Sequence, residues 1–340
     1  MSLKTRMTPK EKRHLWIRIV TAVVAIWLLV ACVLWWWWDY EPRPFDVVKS
    51  AQKRASAEGQ PVVVGSVTTS TLIRVSETLL DKRGGYLSND YAPPGVWMDN
   101  VPNWEFGALV QVRDLAKAFR NEFSRSQTQS TEDPDLLEAD PLFSTPSDRW
   151  LLPASENQYR KAIGHVDAYL TRLTDDDEFN AQFYARADNL ADWLAVVEKR
   201  LGSLSQRLSA SVGQIRVDTD LGGDKDARQS TPAPDVQTVR TPWLKVDDVF
   251  YEARGSTWAL LHFLRAVEHD FEPVLRDKNA LVSLRQIIRE LEESQTPLFS
   301  PIVLNGSPYG FFANHSLVMA NYISRANAAV IDLRKLLERG

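Results

Sequence analysis

Residues 19–38 form an uninterrupted run of 20 residues without a charge, and this run constrains the fold more than any other feature of the chain. An α-helix rises about 1.5 Å per residue, so a helix of this length covers about 30 Å, the hydrocarbon thickness of a lipid bilayer. The run has no polar face, whereas a helix on the surface of a soluble core has one apolar and one polar side. The sequence therefore predicts a transmembrane helix over residues 19–38.

The charges that flank this run predict its orientation in the membrane. Six lysines and arginines precede it, and the acids Asp39 and Glu41 follow it. Because basic flanks stay on the cytoplasmic side, we expect residues 1–18 to form a basic cytoplasmic tail and the rest of the chain to lie across the membrane. Trp16 and the run Trp35–Trp38 stand near the two ends, where indole rings favour the headgroup region.

Two kinds of export signal compete with a retained span. A cleaved signal peptide has small residues at its cleavage site, and the bulky run Trp35–Trp38 offers none. A lipoprotein signal is the second alternative, because residues 29–32 (LVAC) place a small residue directly before Cys32. The chain stays apolar for six residues beyond Cys32, which favours a continuing span, and lipidation of Cys32 remains the alternative.

The chain beyond the apolar run is acidic. Its 302 residues carry 34 lysines and arginines against 43 aspartates and glutamates. General nucleic-acid binding needs a basic surface, so we expect no nucleic-acid partner. The single cysteine excludes an internal disulfide and a cysteine-based zinc site within this chain.

Apolar residues at alternating spacings of three and four predict a series of helices. The clearest stripe runs from Phe183 to Leu208 over almost four heptads and predicts a long helix from Asp175 to Ser211. Similar stripes predict further helices over residues 47–57, 67–79, 103–123, 155–173, 246–271, 281–291 and 319–337.

Narrow stripes of this kind are stable only when they face partners, and short connections make neighbouring helices antiparallel. We therefore predict an all-α fold, with a single N-terminal transmembrane helix followed by an elongated antiparallel helical bundle with coiled-coil-like packing. An intermolecular coiled coil, and with it a homo-oligomer, is the alternative, because the same packing geometry serves within and between chains.

The segments between the predicted helices define the domain organisation. Residues 39–65 are interpreted as a connector in which Pro42 and Pro44 end the membrane helix. Residues 66–340 are predicted to form one helical bundle, since each half would expose a long apolar stripe alone. Three stretches are interpreted as linkers, the last of them as a flexible insertion: 86–103, 126–148 and 213–242.

Three stretches resemble a bacterial family known only as domain of unknown function 2333. The first covers residues 71–130 and begins TLIRVSETLLDKRGGYLSNDYAPPGVWMDN. The other two are DRWLLPASENQYRKAI (148–163) and YGFFANHSLVMANYISRANAAVIDLRKLL (309–337). The resemblance extends over essentially the whole chain, including the membrane segment. It implies an inner-membrane protein of Gram-negative, mainly gammaproteobacterial, cells. Together with the orientation above, this places the bundle in the periplasm. The family has no established activity and no catalytic residues to carry over.

No familiar catalytic signature is present. The sequence has no P-loop, no dinucleotide-binding glycine motif, no serine-nucleophile elbow and no HExxH zinc motif. We therefore predict no catalytic residues, no metal site and no cofactor. His262 and His269 lie seven residues apart on one predicted helix, too far apart to share a metal ion. Together with His165, they are interpreted as surface or boundary residues.

Residues 86–105 are the least ordinary part of the body, because aromatic rings alternate there with carboxylates and amides. Such a mixture suits an ordered loop packed on a bundle, a surface for a protein partner, or a glycan site in which rings stack on sugars. The candidate interaction or ligand residues are Tyr86, Asn89, Asp90, Tyr91, Trp97, Asp99, Asn100, Trp104 and Glu105.

A second candidate group precedes the last predicted helix. It consists of Phe311, Phe312, Asn314 and His315. We expect Asn314 or Ser316 to cap the helix and the phenylalanines to form a hydrophobic plug.

These observations favour a scaffold or modulator of an envelope complex, with protein partners in the cell envelope. One alternative is an enzyme acting on peptidoglycan or another envelope glycan, because Asp99 and Glu105 stand beside tryptophans. Glycoside cleavage needs two carboxylates about 5–10 Å apart. The other alternative is a lipid or small-ligand carrier with a cavity between its helices.

Overall fold

A computed structural model of the protein describes residues 9–126, 130–175, 177, 180–217, 236–300, 302–308 and 310–339. Within these residues the chain forms eleven α-helices and one pair of antiparallel strands, which confirms the all-α class. The helices are α1 (Pro9–Trp38), α2 (Val47–Glu58), α3 (Ser66–Asp81), α4 (Asn100–Ala118), α5 (Pro134–Phe143), α6 (Ser155–Leu173), α7 (Ala187–Ser209), α8 (Val246–Asp270), α9 (Glu272–Asp277), α10 (Leu281–Ser294) and α11 (His315–Glu338). The strands are β1 (Gln214–Val217) and β2 (Val236–Val239).

Helix α1 contains the predicted membrane segment and begins ten residues before it. Within the described parts of the chain, it is the one helix long and apolar enough to cross a membrane, over Lys12–Trp38. Its side chains project almost entirely away from the rest of the molecule, and Ala31 is its one fully buried residue among those described. A helix of this kind is compatible with a membrane anchor or with a signal sequence.

Helices α4 and α8 form the central pair of the bundle, and they run parallel. Asn103 near the start of α4 donates a 3.0 Å hydrogen bond to Asp248, and Gln111 donates one of 2.9 Å to Ser256. Both contacts advance in the same direction along the two helices. The prediction of antiparallel neighbours is wrong for this pair, because more than a hundred residues separate the two helices and allow the chain to return to the same end.

The other large helix pairs are antiparallel. Thr68 at the start of α3 donates two 2.7 Å hydrogen bonds, from its N–H and its hydroxyl, to Asp270 at the end of α8. Glu198 in the middle of α7 pairs with Arg334 near the end of α11, while Ser205 near the end of α7 meets Ala320 near the start of α11. These helices enclose one apolar core, whose largest fully buried side chains include Trp104, Trp193, Trp258, Tyr159 and Tyr169.

One end of the bundle carries α1 and is called the anchor end below. The last residue of α1, Trp38, packs beside Val101 at the start of α4. Asp81 at the end of α3 pairs with Arg160 at the start of α6. The same end therefore gathers the starts of α4, α6 and α8 and the end of α3.

The heptad stripe of α7 is buried, but the helix is shorter than predicted. It begins at Ala187 rather than Asp175, and the described residues between α6 and α7, namely 174, 175, 177 and 180–186, are not helical. Phe183 is one of these residues, and its ring packs 5.4–5.6 Å from the rings of Phe123 and Phe271. Phe183 therefore packs in the core, as its place in the heptad pattern predicted, but it does so from a non-helical segment.

Helix α5 lies inside residues 126–148, which were wrongly predicted to be a linker. Asp133 caps it by accepting hydrogen bonds from two backbone N–H groups, and Pro134 occupies its first position. Its buried residues face the core. Arg172 of α6 pairs with Asp133 and Asp135, so the acidic residues that suggested a solvated linker hold two helices together.

Strands β1 and β2 bracket the predicted flexible insertion, pairing Gln214 with Val239 and Val217 with Val236. These eight residues at the two ends of the insertion form regular structure, and its flexibility stays a prediction. Residues 218–235, the greater part of the predicted insertion, lie outside the described residues.

Candidate functional site

The predicted interaction loop contacts the C-terminal half of α1. Residues 82–105, which comprise the loop after α3 and the first six residues of α4, are called the anchor loop here. Trp38 of α1 packs against a small apolar cluster from this loop, formed by Leu87, Met98 and Val101. Gly84 has φ +84°, and a Cβ there would lie 2.7 Å from the Trp38 ring, so this position needs glycine for both backbone conformation and space.

Aromatic and cationic contacts extend this interface along the helix. The rings of Trp97 and Trp27 meet edge to face, with centroids 5.8 Å apart. The Arg83 guanidinium lies 4.3 Å from the ring centroids of both Trp37 and Tyr40. The anchor loop therefore holds α1 from its last residue back to Trp27, about 16 Å along the helix axis.

Glu105 fixes the conformation of the anchor loop from inside. Its carboxylate is fully buried and pairs with the buried ammonium of Lys82. It also accepts hydrogen bonds from the Leu87 N–H at 2.9 Å, the Ser88 N–H at 2.8 Å and the Ser88 hydroxyl at 2.5 Å. Every one of these donors belongs to the anchor loop, so Glu105 serves as the internal brace of that loop.

Tyr86 and Asn89 tie the anchor loop to the neighbouring loop, residues 144–154. The Tyr86 hydroxyl donates to the Ser147 carbonyl at 3.1 Å, and burial raises the pKa of this phenol. The Asn89 amide donates to the Arg149 carbonyl at 3.1 Å and to Glu156 at 2.7 Å. The two loops therefore form a single ordered surface at the anchor end.

The remaining candidates divide into capping and packing residues. Asp99 is exposed and caps α4 by accepting a 3.0 Å hydrogen bond from the Asn100 N–H, and Asn100 hydrogen-bonds Asp39 just beyond α1. Trp104 is buried, with its ring 5.0 Å from that of Trp258.

Asp90 packs against Gly95, where an added Cβ would overlap the Asp90 side chain. Burial, followed by the charges of nearby glutamates, raises the pKa of Asp90.

Asp99 and Glu105 do not face a common cleft. Asp99 is exposed at the start of α4, while Glu105 points into the loop interior and is enclosed by donors. A sugar could stack on the exposed rings of Tyr91 and Trp97, but the buried Glu105 carboxylate is out of its reach.

The connector that follows α1 is built into the body, a feature that the sequence did not reveal. The Arg254 side chain of α8 is buried and holds the Glu41 carboxylate through several nitrogen–oxygen contacts of 2.6–2.9 Å. The same guanidinium donates to the carbonyls of Ser294 and Thr296. A three-way junction thus joins the end of α1 to α8 and α10.

His262 makes the second junction with the connector. The Phe45 ring stacks on its imidazole at 4.1 Å, and the Phe45 N–H donates to its Nε2 at 3.0 Å. Its Nδ1 donates to the Trp258 carbonyl at 2.7 Å. His262 is fully buried, so the boundary prediction was wrong for it, and burial lowers its pKa to about 3.

The second candidate group forms the start of α11. Asn314 caps the helix, as predicted, by accepting a 2.9 Å hydrogen bond from the Leu317 N–H. His315 accepts a 3.0 Å hydrogen bond from the Leu304 N–H, and burial lowers its pKa. The hydrophobic plug is wrong, because Phe311 is 98% exposed and Phe312 is 67% exposed.

A groove of about 530 Å³ lies between the start of α11 and the segment after α10. Most of its lining is apolar, and Arg254 and Glu293 add charge. The apolar part of the lining is formed by Phe250, Pro297, Leu298, Phe299, Val318, Met319 and Tyr322. Across the described ranges, no cluster of three or more His, Cys, Asp or Glu side chains is arranged to hold a metal ion.

Comparison with known proteins identifies a family. A family model described as an uncharacterized protein conserved in bacteria (DUF2333) matches residues 9–340, nearly the whole chain. No curated protein and no solved structure matches the chain.

Proposed function

The chain belongs to the DUF2333 family, and from that premise we propose that it is a single-pass inner-membrane protein that scaffolds or modulates a cell-envelope complex. In this proposal residues 1–18 lie in the cytoplasm, residues 19–38 cross the membrane, and the helical bundle lies in the periplasm. The positive flank before the span and the acids after it support this orientation.

The proposal depends on the specific contacts that hold the end of α1 and the connector on the bundle. A signal sequence is removed after export, so the folded body has no use for specific contacts with it. Here the end of α1 and the connector are held by the Trp38 cluster, the Glu41–Arg254 pair and the Phe45–His262 stack. Removing α1 would expose the apolar cluster of the anchor loop. A retained anchor held at a fixed angle suits a protein that positions partners at the membrane.

The heptad stripe of α7 is used inside the chain, which argues against a homo-oligomer formed through this helix. Leu194, Leu201 and Leu208 are buried, and α7 packs along α11 of the same chain, where Glu198 meets Arg334. A homo-oligomer would have to use another surface.

A lipid or small-ligand carrier is the second candidate, favoured by the groove beside α11. Its apolar lining suits an acyl chain, whereas its Arg254 is already engaged by Glu41 and by two backbone carbonyls. The glycan-acting alternative loses its motivating pair, because Glu105 is saturated by donors of its own loop.

Reporter fusions test the topology. We expect a periplasm-dependent enzyme reporter to be active when fused after Gly340 and inactive when fused within residues 1–8. The mature protein should retain residues 19–38 by mass spectrometry. An active cytoplasmic reporter at the C-terminus, or a mature chain that begins after Trp38, would overturn the proposal.

Cross-linking in intact membranes tests the scaffold role. We expect cross-linked partners to be membrane or periplasmic proteins, recovered equally with an Asp99→Asn variant, which removes the exposed carboxylate of the glycan hypothesis and keeps a helix cap. Recovery of the protein alone under every cross-linking chemistry would contradict this role.

A further inference from the structure

Large exposed apolar side chains collect on one part of the anchor end. They come from the tip of the anchor loop and from the neighbouring loop 144–154, and they are called the apolar patch. The patch consists of Tyr91, Val96, Trp97, Trp150, Leu151 and Leu152. Leu152 is 93% exposed, and the rings of Tyr91 and Trp150 lie 5.2 Å apart, so the two loops present one continuous surface.

The patch is continuous with the apolar helix. Trp97 touches Trp27, which lies eleven residues, or about 16 Å, before the end of α1. Any bilayer that surrounds residues 19–38 therefore reaches the tip of the anchor loop. A protein surface that faces only water seldom exposes this many neighbouring large apolar side chains.

The backbone of the loop tip suits a medium that lacks water. Pro93 and Pro94 have no N–H group to satisfy. The N–H groups of Val96, Trp97 and Met98 donate to carbonyls within the same turn at 2.9–3.2 Å. Irregular backbone is tolerated near hydrocarbon only when its polar groups are satisfied internally, and this short helical turn meets that need for those three residues.

The distribution of exposed side chains points the same way. At the opposite end of the bundle, where α3, α5 and α10 begin, the large exposed apolar side chains among the described residues include Val64, Leu137 and Val282 but no tryptophan or tyrosine. Tryptophan and tyrosine prefer the membrane interface, where the ring is in an apolar layer and its polar atom reaches water. The patch contains three such rings, and the exposed Asp148 and Arg149 directly before Trp150 carry opposite charges.

We propose that the apolar patch inserts into the outer leaflet of the membrane that α1 crosses, so that the bundle rests on the lipid surface at the anchor end. The inference rests on the proposed function, because it requires α1 to span a bilayer. The ligand is the lipid bilayer itself. The six patch residues are uncharged and the adjoining Asp148 and Arg149 balance each other, so insertion depends on apolar burial and not on anionic headgroups.

Fluorescent labels on single cysteines in the full chain, reconstituted in vesicles that contain a lipid-borne quencher, test the proposal. One label is placed on the native Cys32, which is exposed on α1. The others are placed at Leu152→Cys and at Val282→Cys, each combined with Cys32→Ser. Leu152 and Val282 are matched in kind and in exposure, 93% and 77%, but lie at opposite ends of the bundle.

We expect strong quenching at Cys32 and at position 152, and several-fold weaker quenching at position 282, in vesicles with and without an anionic lipid. Equal, weak quenching at 152 and 282 with a quenched Cys32 would overturn membrane insertion of the patch while leaving the anchor intact. An unquenched Cys32 would overturn the proposed anchor and the insertion together. Quenching at 152 that requires the anionic lipid would contradict the apolar mechanism.

Discussion

Glu105 and His262 are polar side chains placed in apolar surroundings, and both act on the segments that meet α1. Glu105 collects donors from the anchor loop, and His262 binds the connector through Phe45. Buried polar groups cost stability unless all their hydrogen bonds are formed, so each of them specifies one conformation of the segment that it binds.

Replacing Glu105 with alanine should destabilise the protein strongly. The change leaves the Lys82 ammonium buried without its carboxylate, and breaking such a pair costs about 3–5 kcal/mol of unfolding free energy. Denaturant unfolding of the full chain in detergent, followed by tryptophan fluorescence, measures the loss.

Two variants serve as controls for this prediction. Asp99→Ala removes only an exposed helix cap and should cost about 1 kcal/mol. Lys82→Met combined with Glu105→Gln removes both charges, keeps an acceptor for the loop N–H groups, and should recover most of the loss. A Glu105→Ala protein as stable as Asp99→Ala would show that the pair does not brace the loop.

His262 should make the protein less stable as the pH falls. Its pKa is about 3 in the folded chain, against 6.5 when unfolded, so protonation favours the unfolded state. The stability that it contributes is fully present above pH 6.5 and declines by about 1.4 kcal/mol per pH unit below that value, until the folded pKa is reached. Comparing wild type with His262→Gln isolates this group, because other titrating residues are common to both. Parallel stability–pH curves for the two proteins would refute the assignment.

At the scale of elements, a glycine contact sets the spacing of the central helices. Gly107 of α4 faces the Glu252 carbonyl, and Gly255 of α8 faces the Trp104 carbonyl, each so closely that a Cβ would overlap the oxygen. The close approach allows Asn103 and Gln111 to reach across to α8.

Alanine at Gly107 should therefore destabilise the bundle, although alanine is the better helix former. We expect a loss of about 1–3 kcal/mol from overpacking, because the obstacle is backbone that cannot rotate away. Gly164→Ala in α6 is the matched control. A Cβ at that position meets nothing within 4 Å, so this variant should gain up to about 1 kcal/mol. The same sign for both variants in thermal or denaturant unfolding would contradict the close crossing.

At the scale of the whole molecule, the connector determines how the body stands relative to α1. Arg254 joins Glu41 to the carbonyls that end α10, so a single side chain links the anchor to two helices of the bundle. The anchor loop holds the other side of α1 through Trp38 and Trp97. Because the anchor loop contacts α1 itself and Arg254 holds the connector directly after it, the fold restrains the tilt of the helix.

Arg254→Met should loosen this junction without unfolding the core. The apolar stem of methionine preserves packing, while Glu41 and the carbonyls of Ser294 and Thr296 lose their donor at a cost of about 1–3 kcal/mol. Hydrogen–deuterium exchange should accelerate in residues 39–46 and 294–297. Amides of α7 should exchange as in wild type and serve as the internal control. Unchanged exchange in the connector would show that the anchor is held by the loop alone.

The sequence alone determined the apolar helix, the all-α class and most helix positions, because hydropathy runs and three–four spacing are local properties of the chain. It also identified residues 86–105 as unusual, since that mixture of rings and carboxylates is rare in a plain linker. It placed α7 twelve residues too early, because Phe183 satisfies the same periodicity from a loop.

Only the tertiary structure decided which residues meet. The parallel pairing of α4 and α8, the burial of Glu105 and His262, and the contact between Trp97 and Trp27 join positions far apart in the chain. Such contacts depend on how the helices pack as a set. No local pattern records that packing, and the same residues could have lain in an open cleft.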